Sequence, residues 1–250
     1  MMSAPIENLA MAAGYSMQNI FAVAPEVLDQ LARQTPLSYD AFVKQIDKDL
    51  NTIISNTESG RQHHYEKGED AITEHIIVQL KQKYPSVHHD AQQGGHCDIY
   101  IETTSSSGDL YKWVMEAKLW EGFEYVYKGL DNQLLGSYAQ GGVNSCYGGI
   151  IFYSKLTSGA SHAMQQWHQG LAAKNIIINN KRPDGLRFDT EHKLNGGTGA
   201  DFKVNHYCVD LFHAPTKEKV EKAAAKAEAK IKQEAIKEYE AKKQKGVAGK

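Results

Sequence analysis

The chain has 250 residues, 41% of them hydrophobic and 23% charged, with a formal net charge of −2. This is ordinary globular usage with length for one substantial domain and appendages, which excludes a wholly disordered chain. The near-neutral balance offers a polyanion no global attraction, so any such attraction has to come from local clustering.

Residues 1–21 lack a basic leader and a continuous apolar core, so neither a secretory signal nor a transmembrane helix is expected there. No later run is long enough to span a bilayer, and no membrane partner is expected. Across 25–56, Val27, Leu28 and Leu31, then Phe42, Val43, Ile46, Leu50, Ile53 and Ile54, recur at helical spacing around a break at Thr35 and Pro36. Two helices follow from this. A polar loop over 56–60 leads to a third helix over about 66–83, with Ile72, Ile76 and Leu80 on one face and Pro85 beyond its end.

The period then changes. Cys97, Ile99 and Ile101 alternate with Asp98, Tyr100 and Glu102, and residues 110–119 alternate in the same way. The Ser/Gly-rich stretch 103–108 suits a hairpin turn between two strands. A helix over 131–139, a strand over 149–153, a helix over 161–173, a short strand over 175–178 and a last strand over 202–212 complete the pattern, with a loop at 196–199. Strands interleaved with helices imply an α/β sheet covered by helices. Residues 216–245 are mostly Lys, Glu and Ala with few large aliphatics, which fits a solvated surface helix or linker, a docking helix, or a helix that contacts nucleic acid through its lysines. The expected division is a helical N-terminal arm over 1–60, a core over 61–215 and a charged helical tail over 216–250.

Side chains two apart on a strand share a face, so Glu116 and Lys118 point the same way. If the neighbouring strands pair, Asp98 joins them at one end of the sheet, while Ile99, Ile101, Met115 and Ala117 face the other side. Two carboxylates beside one ammonium suit Mg²⁺, a hard ion that takes one or two protein carboxylates and fills its shell with water and phosphate. Phosphodiester hydrolysis is the chemistry such a set supports.

Asp98 followed by Glu116–Ala117–Lys118 resembles the Asp and Glu-x-Lys core of the PD-(D/E)XK nuclease superfamily, with Cys97 where the family pattern has proline. The resemblance implies a restriction-endonuclease-like fold, a central mixed sheet flanked by helices. It implies that Asp98, Glu116 and the Ala117 carbonyl hold Mg²⁺, or Mn²⁺ in its place, and that Lys118 orients or activates water. By the same resemblance Glu69, preferred over Glu74, adds a further metal-binding carboxylate from the preceding helix, and Gln133 with Tyr138 matches a catalytic element after the lysine strand. The implied activity is a Mg-dependent deoxyribonuclease acting on DNA, plausibly in defence against phages or mobile elements. A homodimer would serve double-strand cutting, and a sensor or ATPase subunit could dock through the C-terminal helix. The rivals are an RNase or transposition-type strand-cutting subunit, and an inactive nucleic-acid-binding or scaffold protein on the same fold.

Three further Glu-x-Lys matches occur, at Glu191, Glu228 and Glu240, and Glu116 is expected to be the one placed in a strand. Three widely spaced cysteines, Cys97, Cys146 and Cys208, support no disulfide framework and point to a cytoplasmic setting. His88, His89, His96 and Cys97 are dense, but their spacing matches no structural zinc pattern. Gly196, Gly197, Thr198 and Gly199 lack the lysine and following helix of a nucleotide loop, so a turn is expected. Lys112, Lys128, Lys155, Lys174, Arg182 and Arg187 could line a substrate groove, while Trp113, Trp120, Tyr125, Tyr127 and Trp167 fit either base stacking or the core.

Overall fold

A computed structural model describes residues 26–92, 96–194 and 201–214, with isolated positions before residue 26. The chain divides into Met1–Phe212 and His213–Lys250, and every element below belongs to the first unit. The expected tail helix over 216–250 and the loop at 196–199 lie outside the described residues.

The elements are α1 (Glu26–Gln34), α2 (Tyr39–Ser59), a 3₁₀ turn (Arg61–His63), α3 (Glu69–Lys81), β1 (Ser86–Gln92), β2 (His96–Thr104) and β3 (Leu110–Leu119). There follow α4 (Phe123–Lys128), a π-helix (Gly129–Tyr138), β4 (Tyr147–Ser154), α5 (Ala160–Ala173), β5 (Ile178–Asn179), β6 (Arg187–His192) and β7 (Phe202–Asp210). The seven strands form one mixed sheet in the order β1-β2-β3-β4-β7-β6-β5. β3, β4 and β7 are parallel at its centre, and the outer pairs on both sides are antiparallel. No helix among the described residues is long and apolar enough to cross a membrane.

Alternation along the strands feeds two cores. Ile99, Ile101, Trp113, Met115, Ala117, Ile151, Tyr153 and Tyr207 pack under α2 and α3. Val114, Ile150, Phe152, Val204 and Cys208 pack under α4, the π-helix and α5. A sheet with both faces covered explains the nearly unbroken burial of β3 and β4.

Residues expected as an N-terminal arm are part of this core. Phe42, Ile46, Leu50 and Ile54 of α2 are completely buried. Asp49 of the same helix accepts from Arg33 Nε and Nη2 at 2.7 Å each and from the Tyr84 hydroxyl at 2.8 Å, so one buried carboxylate ties α1 and the α3–β1 junction to α2. Burial would raise its pKa, but the Arg33 guanidinium and the other donors outweigh that and hold it low.

Other differences have local causes. β1 and β6 carry His, Asp, Thr and Glu in place of a clear apolar alternation, so pairing with β2 and β7 reveals them where the pattern does not. Glu191 therefore also sits in a strand, contrary to expectation, paired across to Lys203 at the far end of the sheet from Glu116. The helix expected over 131–139 begins at Phe123 and widens into the π form, with Ala139 N–H reaching back to Leu134 C=O at 2.8 Å. A π-helix of ten residues is unusual, since such segments are mostly single turns and often lie at functional sites.

Candidate active site

The last register pair of β2 with β3 is Ile99 with Met115, yet β3 runs on to Leu119 in parallel pairing with β4. Buried backbone N–H groups need partners. Where the β2 ladder lapses, two carboxylates supply them: Ala117 N–H donates to Asp98 Oδ2 at 2.7 Å and Leu119 N–H donates to Glu69 Oε2 at 2.5 Å. The opening between β2 and β3 is thus where acidic groups from β2 and from the first turn of α3 meet.

Glu116 and Lys118 lie on the face opposite Met115 and Ala117, beneath the start of the π-helix. A Cβ at Gly129 would stand 3.1 Å from Lys118 Cε and 3.3 Å from Glu116 Cγ, so the missing side chain lets the π-helix close over both. Lys118 Nζ forms an ion pair with Glu116 Oε1 and lies 3.6 Å from Glu69 Oε1. The structure therefore brings Glu69, Asp98, Glu116, Ala117 and Lys118 together. Glu74 stands elsewhere on α3, 3.4 Å from His89.

Burial sets the electrostatics. Glu116 is completely inaccessible and Lys118 is 8% exposed. Burial, then the Asp98 charge, pushes Glu116 up to about 8 against the pull of Lys118. Asp98 and Glu69 are also raised, in each case first by burial. Burial would lower Lys118, but the Glu116 carboxylate and its neighbours outweigh that and keep the ammonium charged. Glu116 Oε2 has no hydrogen-bond partner among the described residues. An unsatisfied buried carboxylate oxygen is costly, and a cation bound there would offset that cost.

Gln133 hydrogen-bonds the Tyr138 hydroxyl, which is pushed up to about 12 by burial and then by the charges of Glu116 and Asp98. Both residues belong to the π-helix. Gly129, which gives way to the buried pair, carries no signal in the sequence, because it acts through a tertiary contact. Tyr125, expected to stack on a base or pack in the core, donates its hydroxyl to Glu69 Oε2 at 3.4 Å.

Three of the six basic residues suggested for a groove are engaged with neighbouring side chains. Arg182 pairs with Asp47, Arg187 with Asp184 at 2.5 Å, and Lys174 lies over the Tyr127 ring. Trp113 and Trp167 are core residues and Trp120 is buried beside Phe152. His88 bonds Ser86, Cys97 is buried, and the His96 side chain lies outside the described residues.

Among the described residues no cluster of three or more His, Cys, Asp and Glu side chains is close enough together to hold a metal ion. Magnesium requires fewer protein ligands than that. The unpartnered Glu116 Oε2, the Asp98 oxygen not used by Ala117, and the Ala117 carbonyl offer an all-oxygen donor set. In an extended strand N–H and C=O of one residue point to the same side, so that carbonyl faces the opening occupied by Asp98. The residues present fit a hard divalent ion. No family model, curated protein or solved structure matches the chain.

Proposed function

We propose that this protein is a divalent-metal-dependent nuclease of the PD-(D/E)XK type, with a restriction-endonuclease-like fold and DNA as its substrate. The observation that carries the reading is Glu116: a carboxylate completely buried in a central strand, one oxygen unpartnered, flanked by Asp98 and paired with Lys118. A purely structural ion pair of this kind is a poor stabiliser, because desolvation of two charges offsets their attraction.

Asp98, Glu116 and the Ala117 carbonyl would hold Mg²⁺ or Mn²⁺, which when bound supplies polarisation of the scissile phosphate and a more acidic water. Lys118, held charged by the carboxylates around it, is placed to orient that water and to stabilise negative charge on the phosphate oxygens. Ala117 N–H fixes the Asp98 rotamer. Glu69 holds the lysine from the other side of the strand end. Tyr138, with Gln133 bonded to its hydroxyl, lies within electrostatic reach of Glu116 and Asp98.

Supercoiled plasmid, linear duplex, single-stranded DNA and RNA, each incubated with Mg²⁺, Mn²⁺ or EDTA, test the reading. DNA cleavage that needs metal and disappears in Glu116→Ala supports it. Cleavage confined to RNA moves the substrate class, and no cleavage of any polymer by the folded protein leaves a non-hydrolytic scaffold.

A further inference from the structure

Glu69 enters the site from the first residue of α3, and that turn has no cap of its own, since Gly68 ahead of it makes no side-chain hydrogen bond. An uncapped first turn is prone to fray. What fastens it lies one turn later. The Thr73 hydroxyl donates to the Glu69 carbonyl at 2.9 Å and lies 3.0 Å from the Tyr153 hydroxyl. A threonine hydroxyl carries one proton. With that proton committed to Glu69, Tyr153 O–H must donate to Thr73 Oγ1.

Thr73 is 2% exposed and Tyr153 is completely buried, so the bond between them is shielded from competing water, while the bond to the Glu69 carbonyl is half-buried. Tyr153 stands on β4 directly across from Leu119 of β3. Leu119 is the residue whose N–H the Glu69 carboxylate accepts. Glu69 is thereby held at both ends against neighbouring residues of the sheet: its carbonyl through Thr73 and Tyr153, its carboxylate at the Leu119 amide. Back-bonding from threonine to the carbonyl four residues earlier is common in helices. A buried tyrosine reaching across from the sheet to complete it is not explained by helix formation.

We infer that Thr73 and Tyr153 are positioning residues for the Glu69 carboxylate, which they hold against the end of β3 beside Lys118; the inference rests on the nuclease reading for its consequence in turnover. Thr73→Val keeps the side-chain shape and removes both bonds. Thr73→Ser keeps the hydroxyl, and Tyr153→Phe removes only the cross-link.

Amide hydrogen exchange on the full chain reads the positioning directly. The Leu119 amide should exchange about 10-fold faster or more in Thr73→Val, an intermediate amount faster in Tyr153→Phe, and at the wild-type rate in Thr73→Ser, while the Ala117 amide, held by Asp98, is unchanged. In the cleavage assay kcat should fall about 10–100-fold in Thr73→Val with KM unchanged, and recover in Thr73→Ser. Wild-type exchange at Leu119 in Thr73→Val overturns the inference, as does equal acceleration at Ala117 and Leu119. Should Thr73→Val fail to fold, Tyr153→Phe decides, with wild-type Leu119 exchange the overturning result. A wild-type protein that cuts nothing while Leu119 exchange responds as described would remove the nuclease reading and leave the positioning in place.

Discussion

Glu116→Gln should make the metal-free protein more stable while abolishing its activity. Glu116 is completely buried and its carboxyl is raised from 4.5 to about 8, first by burial and then by Asp98. A carboxyl whose folded pKa lies above its unfolded one contributes stability that is fully present below the unfolded value and is lost as pH rises through the folded value. The unfolded chain ionises first, so the loss grows to about 3 kcal/mol near pH 7 and approaches about 5 kcal/mol above pH 8, at 1.36 kcal/mol per pH unit. These are upper figures, because the change in charge also loosens the hold on Lys118. Glutamine mimics the protonated form at every pH. Urea denaturation in EDTA at about pH 5, 7 and 9 should show the two proteins nearly equal at the acid end, with the variant gaining progressively toward alkaline pH. Saturating Mn²⁺ should narrow the difference, since the wild type alone has the carboxylate that binds it. A variant less stable than wild type by the same amount at all three pH values would refute the reasoning, and would mean that the ion pair with Lys118 outweighs the burial of Glu116.

Lys118→Met should reduce cleavage by about 100-fold or more while Mn²⁺ still binds by calorimetry, with the onset of binding shifted to higher pH because Glu116 loses the pull of the lysine; absence of binding at every pH would show that the lysine organises the carboxylates and not the water. Gly170→Ala should cost about 1–3 kcal/mol, because its Cβ would fall 2.1 Å from Phe123 Cδ2, and Phe123→Leu in the same chain should recover part of that in thermal melts. His206 is completely buried, accepts from Trp167 Nε1–H at 3.1 Å and contacts Thr190 Oγ1 at 2.7 Å, and burial, then His192 and His168, hold its pKa well down. A depressed histidine contributes stability present above its ordinary value of 6.5 and lost as pH falls below it, so wild-type stability should fall more steeply than that of His206→Gln between about pH 6.5 and pH 4.5, read by denaturation with Trp fluorescence.

The elements legible in the sequence are those with one strong period. Phe42, Ile46, Leu50 and Ile54 mark α2 because they form one continuous buried face, and Trp113, Met115 and Ala117 mark β3 because they recur at strand spacing on its α2 and α3 side. β1 and β6 were not legible. Their side chains include His88, His89, Asp189 and Glu191, and what makes them strands is backbone pairing with β2 and β7, which has no dependence on side-chain polarity. The π register from Gly129 to Tyr138 was equally silent, since Leu130, Leu134 and Tyr138 read as an ordinary helix stripe at four-residue spacing. Placement of α2 inside the core, and not in an arm, depends on which surface its apolar stripe covers, and a stripe names no partner.

In the candidate site the same division holds. That Glu116 and Lys118 share a face follows from strand periodicity alone, and Asp98 on the preceding strand is placed near them by the hairpin. How Asp98 and Glu69 are used could come only from the tertiary structure. β3 runs on past Met115 with no β2 partner, leaving the amides of Ala117 and Leu119 outside the ladder, and the two carboxylates take them. Local sequence determines periodicity, because neighbouring residues share one backbone conformation. Burial, orphaned amides and raised carboxyl groups arise where segments far apart in the chain meet, and there the three-dimensional packing decides.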